Sequence, residues 1–314
     1  MERMLTRLQG SVLVLLVGAI FSVGPLTFRA VLEADAWQYL FYRGLSAAVV
    51  AALTIMVIGR NPVRSIVDGG FRQAAAGLLL GTLFVLFIVA LSRTTAAFVL
   101  LLQCTSPFFA ALLGRVFLRE PVGRDTVISM LVAFVGVSVM VGTNLESGDR
   151  VGTIVSLLLP VFLGGYSVLV RSSPARDPGV PFIIGGLAVA VVAGVVSWGG
   201  PGLNLPLRDV AMGCIGGGAL LGLAGPLFNY AHRFVPPADT SLLLISEIIL
   251  APLWLWIWPG EVPSTGTLIG GGVSLSAVVW LTARAAGRSE PTGRRGAHGL
   301  HAGAVPTGSG NPYN

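Results

Sequence analysis

The sequence predicts an all-α integral membrane protein of ten transmembrane helices, arranged as two inverted five-helix repeats. Three observations carry this reading: the composition, a series of ten apolar blocks, and an internal match at a fixed offset. Of 314 residues, 54% are hydrophobic and only 11% charged, against about 25% charged in soluble domains. Mean hydropathy is +0.82. So few charges cannot cover a soluble globule of this length, and disordered or collagen-like chains fail on the same arithmetic.

A membrane-crossing helix needs about 20 mostly apolar residues at about 1.5 Å each. Ten blocks meet this, at roughly 11–30, 36–58, 73–92, 95–117, 125–143, 151–170, 181–199, 208–231, 239–258 and 266–284. Between the third and fourth only Ser92, Arg93 and Thr94 intervene, which requires a tight antiparallel hairpin. Arg3 and Arg7 before the first block resemble the start of a signal peptide, but nine further blocks follow, so the first is read as an uncleaved helix. Residues 287–314 are rich in Gly, Pro, Ser, Arg and His without apolar period, and are read as a disordered tail.

All 20 basic residues are Arg, and Lys is absent. That excludes Schiff-base and P-loop lysine chemistry. The Arg residues never form a stripe, so a nucleic-acid surface is not expected; they orient a membrane protein instead. Alternate loops carry fifteen on one side (Arg3, Arg7, Arg60, Arg64, Arg72, Arg115, Arg119, Arg124, Arg171, Arg176, Arg233, Arg284, Arg288, Arg294, Arg295) and four on the other (Arg29, Arg93, Arg150, Arg208), with Arg43 inside a span. The positive-inside bias puts both termini in the cytoplasm, which requires an even number of spans. Cys104 and Cys214 lie in apolar blocks and offer neither a disulfide framework nor zinc spacing. No cofactor or metal is expected, and His298 and His301 in the tail have nothing to hold them in place.

Sliding the sequence by 141 residues gives an ungapped match. Gly77, Leu80 and Gly81 fall on Gly218, Leu221 and Gly222; Leu86 and Phe87 on Leu227 and Phe228; Leu101 and Leu102 on Leu242 and Leu243; Ala110 on Ala251; Glu120 on Glu261. Gly24/Gly165 and Gly44/Gly185 extend it upstream. Two units result, 1–145 and 146–286. Five spans is an odd number, so the second unit enters the membrane upside down, the arrangement of many secondary carriers. The paired Gly-x-x-x-Gly motifs read first as close helix packing and second as ligand contact.

The stretch 94–121 opens on small residues, carries Pro107 in mid-helix and closes on Leu118, Arg119 and Glu120. It resembles the fourth helix of EamA-like transporters in the drug/metabolite transporter superfamily. Residues 238–261 resemble the ninth, departing where Ile248 and not Pro follows Glu247. The resemblance covers nearly all of 11–284. It implies a ten-helix, two-repeat permease with a central cavity, in a superfamily of exporters of amino acids, metabolites and drugs that also includes importers.

Ionisable groups at bilayer depth are functional candidates. Glu247 lies amid Leu242–Ile245 and Ile248–Leu250, and is expected to bind solute and to carry a proton; a structural carboxyl is the alternative. Arg43 reads as a ligand for a solute carboxylate, a partner of Glu247, or a snorkelling side chain. Gln103 and Ser106 lie three apart on the fourth span, and Thr105 and Ser106 are the repeat mates of Ser246 and Glu247. Tyr166, Asn229 and Tyr230 complete the expected solute site, with interhelical hydrogen bonding as their alternative role. Pro25, Pro107, Pro160, Pro226 and Pro252 suggest kinks around it.

These features predict a secondary-active carrier, an exporter of a small organic solute, working by alternating access with a proton gradient or the solute's own gradient. Its expected partners are the solute, the bilayer and protons; a homodimer is compatible with the pattern. No His-Glu-x-x-His or Gly-x-Ser-x-Gly motif supports an intramembrane enzyme. A non-transporting receptor or assembly protein would have no evident use for an inverted repeat.

Overall fold

The structure is a computed structural model that describes residues 7–146, 149–172, 177–231, 237–258 and 260–288. Every regular element among them is helical. Among the described residues nine helical segments are long and apolar enough to cross a membrane, and Ser246–Ile257 is a shorter apolar helical stretch. His298, His301 and most of the expected tail lie outside the described residues; α13 (Thr265–Arg288) runs two residues beyond the boundary expected at 286.

The first span is interrupted. Helix α1 (Arg7–Ser22) stops at Val23, and α2 (Gly24–Arg29) restarts with Pro25 at its first turn. A proline at this position has no N–H to lose, so the break falls just before it. Helix α3 (Ala36–Val57) opens on a capping box, with Asp35 accepting from the Gln38 amide at 2.8 Å and Gln38 accepting from the Asp35 amide at 3.0 Å.

Helix α4 (Pro62–Arg93) begins eleven residues before the expected start at 73. Its 32 residues would span about 48 Å if straight, against about 30 Å of hydrocarbon. It is not straight: Gly70 takes φ 63° and ψ −169°, a conformation that favours glycine. An initial segment therefore turns away from the spanning part. Asn61 caps that segment by accepting from the Val63 and Arg64 amides.

The fourth span is broken too. Helix α5 (Ala96–Gln103) ends at Cys104–Thr105, and α6 (Ser106–Phe117) follows with Pro107 in its first turn. Helices α7 (Arg124–Glu146), α8 (Arg150–Ser172) and α9 (Val180–Trp198) come next. The eighth span consists of α10 (Leu207–Cys214), a π-helical segment (Ile215–Leu223) and α11 (Ala224–Ala231). Helices α12 (Pro237–Ile257) and α13 end the fold. Not every proline breaks its helix: α8 continues through Pro160 and α12 through Pro252.

Helices α3 and α9 pack on each other, as do α7 and α13. Helix α4 lies against α8 and α9, α3 against the π-helical segment, α1 against α11 and α12, and α5 and α6 against α8. Small residues set these distances. A Cβ on Gly77 would lie 2.6 Å from Cβ of Ile184, and one on Gly81 would lie 2.9 Å from the Gly185 carbonyl. One on Gly222 would lie 2.7 Å from the Ala47 carbonyl. Both Gly-x-x-x-Gly motifs are thus packing seams, α4 on α9 and the π-helical segment on α3. The main core lies under these seams and includes Tyr39, Leu40, Phe84, Ile88, Leu159, Phe182 and Leu255.

Candidate solute site

Arg43 is carried by α3 and is 4% exposed, so it does not snorkel. Its guanidinium carbon lies 6.0 Å from the Tyr39 ring centre, 5.9 Å from Phe84 and 5.7 Å from Phe87. Tyr39 is one turn earlier on α3, while α4 presents Phe84 and Phe87 three residues apart on one face. Nε and Nη1 of Arg43 are buried without a hydrogen-bond partner. Tyr39 is itself held by a 2.7 Å hydrogen bond between its hydroxyl and that of Thr27 on α2.

Glu247 is half-buried on α12. It shares a stripe with Ala251 and Leu255, at spacings of four and eight, and both of these are fully buried. The opposite stripe, Ile249, Leu253, Trp256 and Ile257, is exposed. Trp254 and Trp258, at spacings of seven and eleven on the same stripe, are exposed, so Glu247 stands at the edge of the buried face of α12. No ion pair joins it to Arg43 among the described residues.

Gln103 closes α5 with its Oε1 buried and unpartnered. Pro107 lacks the N–H that would reach the Gln103 carbonyl, and the Phe108 amide donates instead to Thr105 at 3.0 Å. The break thus frees backbone acceptors beside the Gln103 side chain. Thr105 is buried and gives its hydroxyl proton to the Leu102 carbonyl at 2.7 Å. Ser106 is half-buried at the start of α6; the interruption between Gln103 and Ser106 removes the continuous helical face expected for them. Tyr166 and Asn229 are brought together: the Asn229 amide donates to the Tyr166 hydroxyl at 3.4 Å and to the Pro178 carbonyl at 3.2 Å. Tyr230 and Ser246 are half-buried and engaged in interactions of their own.

Three polar clusters at helix ends went unnoticed in the sequence. Glu261 accepts from Arg29 at 2.9 Å and from the Ala96 amide at 2.5 Å, while Arg29 also donates to the Thr94 carbonyl. Asp209, 1% exposed, accepts from the amides of Leu32, Glu33 and Ala34 at 2.8–2.9 Å. Asp177 accepts from Arg60 and Ser65, each at 2.5 Å. The paired acids Glu120 and Glu261 were the one visible signal. Among the described residues no cluster of His, Cys, Asp or Glu could hold a metal.

Long apolar helices enclosing buried polar side chains define a multi-pass membrane protein. Residues 8–142 match the EamA-like transporter family. The pseudopaline exporter CntI of Pseudomonas aeruginosa is 25% identical over 87% of this chain and 95% of its own. "Uncharacterized transporter YdfC" of Bacillus subtilis is 25% identical over 57% of this chain and 60% of its own. "Probable terminal-alkyne amino-acid exporter" of Streptantibioticus cattleyicolor is 25% identical over 60% of this chain and 64% of its own. A solved crystal structure shares the fold with TM-score 0.61 at 14% identity, over 87% of this chain and 98% of that one. The protein is a transmembrane transporter and not an enzyme, as the family and these relatives are transporters.

Proposed function

We propose that the protein is a secondary-active exporter of a small organic solute, that it works by alternating access, and that Glu247 carries the coupling proton. The observation that bears the reading is a half-buried carboxyl at the edge of the buried face of an apolar helix, in a chain whose residues 8–142 match a transporter family. Relatives named as exporters of pseudopaline and of an amino acid favour an organic metabolite as solute.

Helix α12 is the ninth of ten spans in this reading, and 1–145 and 146–286 are the inverted repeats. The packing supports the exchange of one half for the other. The α3–α9 and α7–α13 contacts map onto themselves; α4–α9 maps onto the π-helical segment with α3, α4–α8 onto α1–α11, and α1–α12 onto α8–α6. Both termini are cytoplasmic, from the Arg bias. Arg43, Gln103, Thr105, Ser106, Tyr166, Asn229, Tyr230, Ser246 and Glu247 form the solute site. A carboxyl that gains and loses a proton changes the charge of that site, and so ties solute affinity to the side from which the proton arrives.

Growth of an overexpressing strain across a panel of toxic metabolites and amino-acid analogues identifies the solute. Flux of that solute in proteoliposomes under an imposed pH gradient then tests the coupling. The native protein is expected to accelerate flux with the gradient, and Glu247→Gln to lose that acceleration. Unchanged pH dependence in the variant sinks the role of Glu247; absence of resistance and of flux sinks the transporter reading.

A further inference from the structure

A buried arginine stays charged, because its guanidinium holds its proton at any physiological pH. Buried charges are normally paired. Arg43 has no carboxylate partner: none of the ion pairs among the described residues includes it, it engages only the Tyr39 side chain, and Nε and Nη1 have no acceptor. Its surroundings are three aromatic rings at 5.7–6.0 Å. Ring faces attract a cation but leave these in-plane N–H donors unused. Phe87 is only half-buried, whereas Tyr39 and Phe84 are buried.

We propose that Arg43 is an anion subsite, and that it receives a carboxylate of the transported solute. The inference rests on the transporter reading above and adds the solute's charge to it. The choice of anion follows from charge balance and shape. One guanidinium neutralises one negative charge, so a phosphate dianion would leave net charge in an apolar enclosure. Flat ring walls and planar N–H donors suit a planar carboxylate. Bound there, the carboxylate supplies the missing acceptors, and the aromatic faces exclude water from the pair. The solute is then a carboxylic acid or an amino acid; simple amines and neutral solutes lack the group that Arg43 requires.

The test is thermal unfolding of the purified full-length protein in detergent, titrated with sodium benzoate, with sodium chloride and benzamide as controls. Benzoate is expected to raise the midpoint saturably, several-fold more than either control. Arg43→Lys is expected to keep a reduced shift and Arg43→Met to lose it. Removing an unpaired buried charge orphans no carboxylate, so ligand-free Arg43→Met is expected to unfold at or above the native midpoint. Equal shifts with benzoate and chloride overturn the carboxylate assignment, as does a benzoate shift that survives in Arg43→Met. An Arg43→Met protein that fails to fold, or unfolds well below the native midpoint, also overturns it, because the arginine would then be structural. All of these outcomes leave the transporter reading standing, since resistance and flux decide that separately.

Discussion

Gly44 and Gly186 face each other across the α3–α9 crossing. A Cβ on Gly44 would lie 2.7 Å from the Gly186 carbonyl, and one on Gly186 would lie 2.5 Å from the Gly44 carbonyl. The obstruction is backbone in both directions, so no rotamer change relieves it. Gly186→Ala is expected to destabilise the protein by about 1–3 kcal/mol, the usual range for overpacking. Gly142→Ala and Gly272→Ala are the controls, since a Cβ at either meets nothing within 4 Å. A detergent unfolding curve should separate the sets, and equal midpoints would contradict the packing seam.

Asp209 holds the connection between the first and second spans through three backbone donors. Asp209→Ala is expected to lose about 2–4 kcal/mol, because hydrogen bonds to a charged group are the stronger kind and the orphaned amides are costly. Hydrogen exchange reads this locally. The amides of Leu32, Glu33 and Ala34 should lose protection in the variant, while the centre of α9 keeps its own.

The Arg29–Glu261 pair is only partly exposed, at 26% and 15% for the two side chains. A double-mutant cycle of Arg29→Met and Glu261→Gln should give a coupling of about 1 kcal/mol. Glu261→Gln alone should cost more than Arg29→Met alone, because Glu261 also accepts from the Ala96 amide at the start of α5. The reverse order would place the energy in the Arg29–Thr94 contact instead.

Tyr166→Phe removes one acceptor from Asn229 but leaves its bond to the Pro178 carbonyl. Asn229→Leu removes both. If the amide chiefly ties α8 and the start of α9 to α11, Asn229→Leu should lower stability by about 0.6–2 kcal/mol, the measured range within membranes, and Tyr166→Phe by less. A large loss of solute flux in Tyr166→Phe with an unchanged unfolding midpoint would instead assign the hydroxyl to the solute.

Spans such as 36–58 and 181–199 were legible because apolar length alone identifies them, and the helices end within two residues of those bounds. The start of α4 was not legible. Residues 62–70 are too polar to count as span, and only the left-handed Gly70 shows how helix continues through them. Individual polar residues were visible, but their partners were not. Asn229 finds Tyr166 from 63 positions away, and Glu261 finds Ala96 from 165; no local period encodes such pairs. The lack of a carboxylate at Arg43 was equally invisible, since sequence offered Glu247 as its partner and the fold keeps the two unpaired.

The contact between Glu261 and the Ala96 amide also bears on biogenesis. The α4–α5 turn leaves the ribosome long before residue 261 does, so the leading amide of α5 must wait for its acceptor while most of the chain is still being inserted. A nascent chain released before that point leaves the Ala96 amide without its acceptor and Arg29 without its carboxylate at the same face.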